Sequence, residues 1–355
     1  MDRKSFIQNL SLLSSGLIAY PGPLLSSRMP VSGFAKRLRP VGRMLELEGY
    51  YVWCNSPIFD AAGKVHVFFS RWKAEKKMSG WIKGSEIAHA VADVPEGPYT
   101  VTGTILAPRG PGFWDATTCH NPSITTFDNK YYLYYMGNSN GKTNTKRIGV
   151  AVAGSLNGPW QRFDHPILEP GSEGAWDDHC TTNPSVLRHA DGRYWLYYKS
   201  WNTKDYQTQT GPVRGNRKYG LAFGDRPEGP FKKYKGNPVI DFSKKGNNAQ
   251  LEDAFIWEEQ GMYHIIARDM GYYNHTDGII MRSENGISWS DPKTAYYPAS
   301  HYIRQPPPPS YLTKYGRFER PQLLLKKGKP VYLFTTTQGG KYMTSSPFIF
   351  KIEPE

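Results

Sequence analysis

The feature that most constrains the fold is a phrase that occurs more than once in the sequence. The stretch CHNPSI at residues 119–124 precedes FDNKYYLYYMG, and TNPSV at residues 182–186 precedes HADGRYWLYYKS. In both copies an apolar run, a turn and an aromatic run follow one another, which is the pattern of a β-hairpin. A phrase repeated at a regular interval indicates a repeated structural unit.

Three further copies align with these two. NSPIF precedes DAAGKVHVFFSRW, EDAFIW precedes EEQGMYHIIARDM, and ERPQL precedes KKGKPVYLFTTT. The aligned positions are spaced by 65, 62, 70 and 67 residues and are Pro57, Pro122, Pro184, Ala254 and Pro321. Patterns such as IGVAVAGSLNGPWQRF add a third and a fourth strand to four of the copies. Five such units predict an all-β, five-bladed β-propeller with four-stranded antiparallel blades around a central funnel, in preference to a β-sandwich.

Length, hydrophobic content and net charge limit the classes of protein that the chain can belong to. The chain has 355 residues, of which 39% are hydrophobic, so it can bury a large core, and we predict one propeller domain over residues 31–355. The formal net charge of +13 attracts anions. The sequence has no basic cluster or recognition motif typical of nucleic-acid binding, so the predicted partner is an oligosaccharide.

The N-terminal segment has the organisation of an export signal. A basic start is followed by a moderately apolar run from Phe6 to Tyr20, which is short and interrupted for a membrane span. We therefore predict a signal peptide or a disordered extension over residues 1–30 and a periplasmic or extracellular bacterial protein without an integral membrane span. The oligomeric state is left open.

In a propeller the innermost strands begin around one axial funnel, so residues at the starts of the five copies converge there. The two residues before each aligned position are all polar. Asn before Pro is ordinary turn chemistry, but Glu252, Asp253, Glu319 and Arg320 are not needed for turns. The sequence therefore predicts a functional funnel built from Asn55-Ser56, His120-Asn121, Thr182-Asn183, Glu252-Asp253 and Glu319-Arg320.

The fivefold phrase, the Gly-Pro turns followed by Trp or Phe, and the acidic funnel resemble the five-bladed glycosidase superfamily that includes glycoside hydrolase families 43 and 117. The resemblance covers the chain from about Leu45 onward. Resemblance to family 43 implies an Asp base, an Asp that tunes a pKa and a Glu acid in the first three blades. The present sequence departs from that pattern, because those places hold Asn55-Ser56, His120-Asn121 and Thr182-Asn183.

Carboxylates appear instead in the last two copies and in the loops PGFWDATTCHNP and GAWDDHCTTNP. This distribution is more similar to that of family 117 and its uncharacterised relatives, which remove 3,6-anhydro-galactose from agar oligosaccharides. The resemblance implies an exo-acting, inverting hydrolysis of an anionic or anhydro-sugar oligosaccharide, with carboxylates and a histidine as candidate catalytic groups.

An inverting glycosidase needs a base and an acid separated by roughly 6.5–9.5 Å. We predict Asp253 as the base and Glu319 as the acid, with Asp115 or Asp178 orienting the water or tuning a pKa. If Arg320 lies close to Glu319, its charge lowers the carboxyl pKa. Glu319 is then a base or a clamp for a sugar hydroxyl, and the candidate acids are His120 and His179.

The predicted substrate-binding residues are amides, charged groups and aromatic rings. Amides can hydrogen-bond sugar hydroxyls, arginines can bind an anionic substituent, and indole rings can stack on a sugar or pack between blades. They are Asn55, Asn121, Asn183, Glu252, Arg320, Arg71, Trp53, Trp114 and Trp176.

No organic cofactor and no metal motif is evident in the sequence. The resemblance alone implies a structural divalent cation at the propeller axis. Cys54, Cys119 and Cys180 lack any C-x-x-C partner and are interpreted as packing residues.

Two other functions fit the same pattern. A glycoside phosphorylase of the family 130 type needs one acid and basic residues that hold phosphate, for which Arg320, Arg71 and Arg268 are candidates. A non-catalytic sugar-binding propeller would explain the absence of carboxylates from the first three copies.

Overall fold

The computed structural model describes residues 29–210, 214–245 and 249–354. The predicted signal segment, residues 1–30, lies outside the described residues except for its last two. Within the described ranges, no helix is long and apolar enough to cross a membrane.

Strands are the main secondary structure of the described chain. Its α-helices are short: α1 (Gly33–Lys36), α2 (Thr203–Thr208) and α3 (Ala299–Tyr302). The strands are β1 (Leu38–Arg43), β2 (Tyr50–Phe59), β3 (Val65–Lys73), β4 (Glu86–Ala92), β5 (Thr100–Leu106), β6 (Thr118–Phe127), β7 (Lys130–Asn138), β8 (Arg147–Ala153), β9 (Gln161–Arg162), β10 (Thr182–Arg188), β11 (Tyr194–Ser200), β12 (Lys218–Gly224), β13 (Lys232–Lys233), β14 (Gln250–Glu259), β15 (Met262–Met270), β16 (Gly278–Ser283), β17 (Lys293–Tyr296), β18 (Glu319–Lys326), β19 (Lys329–Gly339) and β20 (Thr344–Ile352).

The strands form antiparallel units of four. Strands β6–β9, β10–β13 and β14–β17 are separate four-stranded sheets, which we call the second, third and fourth units. The remaining eight strands form one sheet that divides into a first unit, β2–β5, and a fifth unit, β18–β20 with β1. A single parallel bridge between Tyr51 and Ser345 joins these two halves. The predicted all-β class and its four-stranded antiparallel sheets are thus confirmed.

The hairpins form where the sequence places turn residues between aromatic runs. Asp128 and Asn129 turn β6 into β7 with φ of 46° and 60°, a left-handed conformation that Asp and Asn tolerate better than most residues. Gly192, with φ of 86°, follows Asp191 in the turn between β10 and β11. The repeated phrase therefore encodes a hairpin, as predicted.

The fifth unit takes its outer strand from the start of the chain. Strand β1 pairs antiparallel with β20, from Leu38 opposite Ile352 to Arg43 opposite Phe348. The sequence pattern did not reveal β1 as the fourth strand of the fifth unit, because β1 lies some 300 residues before the other strands of that unit. The two ends of the described chain are thereby joined in one sheet.

Apolar side chains fill the spaces between successive units. Five buried clusters lie between the first and second, second and third, third and fourth, fourth and fifth, and fifth and first units. The first strands of the units also contact one another in the same cyclic order, from β2 through β6, β10, β14 and β18 back to β2. The arrangement places the starts of these five strands around a common centre.

Each first strand carries a β-bulge at the same place in its unit. The ladder skips two residues after Trp53, His120, Thr182, Glu252 and Glu319. The first copy was therefore misaligned by two residues, because Cys54, and not Ser56, corresponds to Asn121. Trp53 and Cys54 occupy the two central slots that the sequence alignment gave to Asn55 and Ser56.

Candidate functional site

The five bulges place one residue each at the centre of the molecule. These residues all have positive φ, between 52° and 64°, and we call them the bulge ring: Cys54, Asn121, Asn183, Asp253 and Arg320. Asn and Asp adopt this backbone conformation readily, whereas Cys and Arg seldom do. Backbone strain of this kind persists where the surrounding structure enforces it, and it is common at functional sites.

Side-chain contacts run around the bulge ring. Cys54 Sγ donates to Asn121 Oδ1 at 3.1 Å, and Asn121 Nδ2 donates to Asn183 Oδ1 at 3.0 Å. Asn183 Nδ2 then donates to Asp253 Oδ1 at 3.0 Å. Arg320 Nη1 lies 2.5 Å from the same carboxylate, and the Arg320 N–H donates to Asp253 Oδ2 at 3.2 Å. The bulge ring is thus a connected polar floor.

A cavity of about 160 Å³ lies over this floor. This is smaller than the roughly 300–1,000 Å³ of a typical small-molecule pocket, so it suits a ligand of about one sugar unit. Its walls combine indole rings with charged side chains. The lining residues are Trp53, Met78, Trp81, His120, Asn121, Thr143, Lys146, Thr182, Asn183, Lys199, Trp201, Tyr206, Arg217, Glu252, Lys314 and Arg320.

Glu252 is the one carboxylate among these lining residues. Its Oε1 lies 2.5 Å from Lys199 Nζ and 3.2 Å from Arg217 Nε, and its Oε2 lies 3.3 Å from Arg268 Nη1. Burial alone would raise the pKa of Glu252, but Lys199, Arg217 and Arg268 outweigh it and hold the pKa well below its ordinary value. Glu252 is therefore ionised at neutral pH and can accept a proton or a hydroxyl hydrogen bond.

Glu319 occupies the equivalent position in the fifth unit but is enclosed, with 1% of its surface exposed. Three cations contact it: Arg317 Nε at 2.7 Å, Lys314 Nζ at 3.1 Å and Arg268 Nη1 at 3.1 Å. Burial opposes ionisation, yet these cations lower the pKa of Glu319 below its usual range. A general acid must hold a proton, so these surroundings do not suit the acid role predicted for Glu319.

Arg268 also limits the distance between the two glutamates. Its Nη1 contacts Glu252 Oε2 at 3.3 Å and Glu319 Oε1 at 3.1 Å. This shared contact limits the separation of the two oxygens to about 6.4 Å, at the lower edge of the roughly 6.5–9.5 Å of an inverting acid–base pair. The two carboxylates thus share one guanidinium.

Lys146 lies on the cavity wall and is 3% exposed. Its Nζ lies 4.1 Å from the centre of the Trp201 ring and 5.7 Å from that of Trp81. No carboxylate of the described chain is within ion-pair distance of this amine. Burial, reinforced by Lys199 and Arg217, lowers the pKa of Lys146 to about 7.

His120 faces the cavity from the bulge of the second unit. Its Nδ1 lies 2.9 Å from Ser85 Oγ and its Nε2 lies 3.5 Å from Cys54 Sγ. Burial, together with Arg320 and Lys314, holds the pKa of His120 well below its ordinary value. A neutral imidazole at this place does not suit the role of a proton donor, which was its predicted function.

Besides Glu252 and His120, four predicted site residues lie on or beside the cavity. Asn121 and Asn183 form part of its floor, Arg320 lies next to them, and Trp53 stands in the wall with Lys314 Nζ 5.5 Å from its ring centre. Asp253, the predicted base, belongs to the floor but is not among the lining residues; it is 3% exposed and bound to Asn183 and Arg320.

The predicted loop carboxylates are held away from the cavity lining. Asp115 is buried and pairs with Arg109 at 2.6 Å and Arg162 at 3.3 Å, and it accepts a hydrogen bond from Tyr135 at 2.9 Å. Asp178 accepts from the backbone N–H groups of Gly174 and Thr203. Both carboxylates secure the loops that carry them.

Four other predicted binding residues also lie outside the lining. Asn55 is fully buried and donates to Thr336 Oγ1 at 2.8 Å, because the first-copy alignment was shifted. Arg71 pairs with Glu86 at 2.8 Å at the edge of the first unit.

The remaining two are indoles that cover glycines of their own units. Trp114 packs on Gly137 and Gly149, and Trp176 packs on Gly220. Each indole also contacts a tyrosine of its unit, with ring centres 5.3 and 5.8 Å apart. These rings fill space between strands.

The axial cation implied by the resemblance has no matching ligand set. Within the described ranges, no group of three or more His, Cys, Asp or Glu side chains could hold a metal ion. At the centre, the guanidinium of Arg320 already supplies a positive charge to Asp253. The three cysteines are buried, and burial raises the pKa of Cys54 to about 12, which suits packing roles.

Several lining residues were missed from the sequence, although one signal was present. Lys199 interrupts the aromatic run YWLYYKS and pairs across the ladder with Thr182, next to the bulge. A lysine within a buried strand needs a partner or a ligand, which could have identified it. Lys146, Trp81 and Trp201 lie in connections between strands, where no periodic pattern marks them.

Comparison with known families gives a match over part of the chain. Residues 109–211 match the family Glycosyl hydrolases family 43. This region contains Asn121 and Asn183 of the bulge ring together with Lys146 and Lys199 of the cavity.

Similarity in sequence extends to two further proteins. The chain is 24% identical over 194 residues to the uncharacterized protein MT1551 of Mycobacterium tuberculosis, covering 53% of this chain and 62% of that protein. It is 26% identical over 165 residues to the extracellular endo-α-(1→5)-L-arabinanase 2 of Bacillus subtilis, covering 44% of this chain and 31% of the arabinanase. The matched region thus spans less than two thirds of either relative.

Similarity in structure extends over most of the chain. The family 117 glycoside hydrolase Zg3597 of Zobellia galactanivorans has a TM-score of 0.65 and 18% identity, over 89% of this chain and 90% of that one. This likeness shows the fold. The predicted resemblance to the glycoside hydrolase superfamily of families 43 and 117 is therefore confirmed.

Proposed function

We propose that this chain is a five-bladed β-propeller glycoside hydrolase that removes single sugar units from the end of an oligosaccharide. The observation that carries the proposal is the cavity over the bulge ring, which combines three indoles with Glu252 at a size of about one sugar. The cyclic packing of the five units and the likeness to glycoside hydrolases support it. Indole faces bind the apolar face of a sugar, while amides and charged groups bind its hydroxyls.

The shape of the site supports an exo mode. The bulge ring closes the inner end of the cavity with hydrogen-bonded side chains, so a chain cannot pass through it. A polysaccharide end can enter, and an internal segment cannot lie across a site of this size. We therefore expect a monosaccharide as the first product.

Glu252 is the residue proposed to accept the proton of the attacking water as its oxygen bonds to the anomeric carbon, while a proton from solvent neutralises the departing sugar oxygen. It is ionised, it faces the cavity, and Lys199, Arg217 and Arg268 fix its carboxylate. Asp253 and Arg320 form part of the floor, where Asn121 and Asn183 can bind sugar hydroxyls. Glu319 acts as a fixed anion that positions Arg268 and Lys314.

The substrate class that the sequence predicts is an oligosaccharide of an anionic or anhydro-sugar polysaccharide, and export to the periplasm or beyond fits such a substrate. A Bacillus subtilis arabinanase similar to this chain is itself extracellular. The inverting outcome, the algal source of the substrate and the export of the chain are part of the same proposal.

The test is sugar release from neutral, sulfated, uronate-containing and anhydro-sugar oligosaccharides, with the products identified by mass spectrometry. Glu252→Gln should abolish release, whereas Glu258→Gln is the matched control, since Glu258 is exposed at the far end of the same strand. Release of long fragments would contradict the exo mode. Binding without turnover in the unmodified protein would indicate a sugar-binding propeller.

Phosphorolysis is the second candidate, and one observation favours it. A single carboxylate faces the cavity among five cations, Lys146, Lys199, Arg217, Lys314 and Arg320, and such a lining can hold phosphate. Repeating the assay with and without inorganic phosphate separates the two activities. A sugar phosphate formed only with added phosphate would establish phosphorolysis in place of hydrolysis.

A further inference from the structure

The charges around the cavity do not balance. Three carboxylates, Glu252, Asp253 and Glu319, pair with six cations. Those cations are Lys199, Arg217, Arg268, Lys314, Arg317 and Arg320, and Lys146 adds a seventh.

Three of these cations, Lys146, Lys199 and Arg268, are removed from bulk solvent. Lys199 and Arg268 are each 2% exposed. Excess charge buried without a counter-ion is costly, because the protein interior screens it poorly. The imbalance therefore favours a negatively charged ligand in the cavity.

Lys146 shows where that ligand would bind. It is almost fully buried, it has no ion-pair partner among the residues described, and it lines the cavity. Its backbone is fixed between the second and third units, where its carbonyl accepts from the Thr181 N–H at 3.2 Å. A fixed, unpaired amine at a cavity wall has donors available for a ligand.

Two other cations lie beside the same indole. From the centre of the Trp201 ring, Lys146 Nζ is 4.1 Å away, the Arg217 guanidinium carbon 5.5 Å and Lys199 Nζ 5.8 Å. Lys199 and Arg217 also form ion pairs with Glu252, so their positions do not depend on the ligand. Three cations thus surround one aromatic wall.

We infer that Lys146, Lys199 and Arg217 form an oxyanion subsite that binds a carboxylate or sulfate group on the terminal sugar, with Trp201 beside the sugar ring. The inference rests on the proposed function for the sugar that carries the group. An anionic sugar is thereby favoured over a neutral anhydro-sugar as the substrate, because a neutral sugar would leave the buried positive charges uncompensated. Free phosphate has the same oxyanion chemistry, and the experiment separates it from a sugar substituent.

The first experiment is isothermal titration calorimetry at low ionic strength and pH 6.5 with sodium sulfate, inorganic phosphate, glucuronate and glucose. We expect glucuronate to bind at least about tenfold more tightly than glucose, because charge-assisted hydrogen bonds contribute to its affinity alone. Sulfate should compete with glucuronate. Equal affinity for glucose and glucuronate would overturn the subsite.

The matched variants test the role of Lys146. Lys146→Met should weaken glucuronate binding about tenfold or more, and Lys146→Arg should restore most of it. Lys326→Met is the control, since Lys326 is exposed at the opposite end of strand β18 from Glu319. Unchanged binding in a folded Lys146→Met protein would overturn the inference, and a circular dichroism melt checks folding.

These measurements do not depend on turnover. Anion binding without sugar release would support the oxyanion subsite and contradict the proposed hydrolase activity. Sugar release from neutral oligosaccharides, without anion binding, would reject the subsite and keep the hydrolase. Phosphate binding with phosphate-dependent release would retain the oxyanion subsite but assign it to free phosphate, which would reject both the sugar substituent and hydrolysis.

Discussion

Glu252 and Glu319 precede the bulge in successive units, yet their surroundings give them different capacities. Glu252 has 14% of its side chain exposed and faces the cavity, whereas the Glu319 side chain is 2% exposed and enclosed by three cations. Position in the repeat therefore does not define a role by itself. What distinguishes the two carboxylates is access to a ligand.

This difference gives a prediction for matched substitutions. Both substitutions should lower the free energy of unfolding by roughly 3–5 kcal/mol, since each leaves buried cations without their partner. Glu252→Gln should in addition reduce kcat about 10²–10⁴-fold, the usual contribution of a general base, whereas folded Glu319→Gln should keep most of its kcat. Urea denaturation and steady-state kinetics on both variants measure this. An equal loss of kcat in folded Glu319→Gln would contradict the assignment.

The second residue-scale prediction concerns pH. The pKa of Lys146 is lowered to about 7, so the amine is charged below that pH and neutral above it. Anion affinity should fall as the pH rises through about 7, whereas Lys146→Arg should stay charged and lose most of this dependence.

Other titratable groups lie around Lys146, and burial lowers the pKa of one of them, Lys199, as well, so the Lys146→Arg variant is needed to assign the transition. These groups are Lys199, Arg217, Glu252, Cys180 and His179. Burial lowers the pKa of His179 to about 4 and raises that of Cys180, while cations lower that of Glu252. Titration of glucuronate affinity from pH 5.5 to 8.5 provides the test. An unaltered pH profile in Lys146→Arg would exclude Lys146 as the titrating group.

The free energy of unfolding should rise with pH because of Lys146, whereas anion affinity should fall. In the unfolded chain Lys146 has its ordinary pKa of 10.5, so between pH 7 and 10.5 the unfolded state binds more protons. The penalty for the buried amine is fully present below pH 7 and disappears as the pH rises towards 10.5. Lys146→Met should therefore raise the free energy of unfolding by about 1–2 kcal/mol at pH 6, as expected when a site is maintained at the expense of stability.

At the scale of elements, the β-bulge in the first strand of each unit forms the floor of the cavity. It turns one side chain of each first strand towards the centre and requires positive φ there. Asn183 meets both demands, because it tolerates the left-handed region and its amide links Asn121 to Asp253.

Two substitutions at Asn183 separate these demands. Asn183→Ala loses the hydrogen bonds and strains the backbone, whereas Asn183→Gly loses the hydrogen bonds alone. Asn183→Gly should be the more stable of the two variants by about 1 kcal/mol, the penalty for a Cβ in the left-handed region. Chemical denaturation measures the difference, and equal stabilities would mean that the backbone relaxes out of its positive φ.

At the scale of the whole molecule, the closed order of units depends on a strand from the start of the chain. Strand β1 covers the edge of β20, and Arg43 donates to Gln305 Oε1 at 3.0 Å and to the Gln338 carbonyl at 2.7 Å. An uncovered β20 would present an open strand edge, which promotes aggregation.

Truncation tests this closure. A chain that begins at Met29 keeps every contact described above and serves as the reference. A chain that begins at Leu45 should melt at least several degrees lower and aggregate, because it lacks β1. Light scattering during a thermal melt measures both effects. Equal melting of the two chains would show that β1 is dispensable.

The sequence by itself determined the hairpin strands, their turns and the five copies of the repeated phrase, but not strand β1. These features depend on residues close together in the chain, such as the aromatic run after Asp128 and Asn129. It also indicated the polar positions at the bulges, correctly for four of the five copies. In the first copy Pro57 resembled the proline of the bulge, and the shift of two residues became visible only in the ladder pairing of Trp53.

Only the tertiary structure decided which charged and aromatic groups share the cavity. Lys146, Lys199, Glu252 and Lys314 belong to four different units or connections, and the cyclic packing of the units brings them together. The ionisation of Glu252 and Glu319 likewise depends on cations distant in sequence. Local patterns determine which strands form, whereas the protonation and accessibility of a site depend on neighbours that only the closed fold supplies.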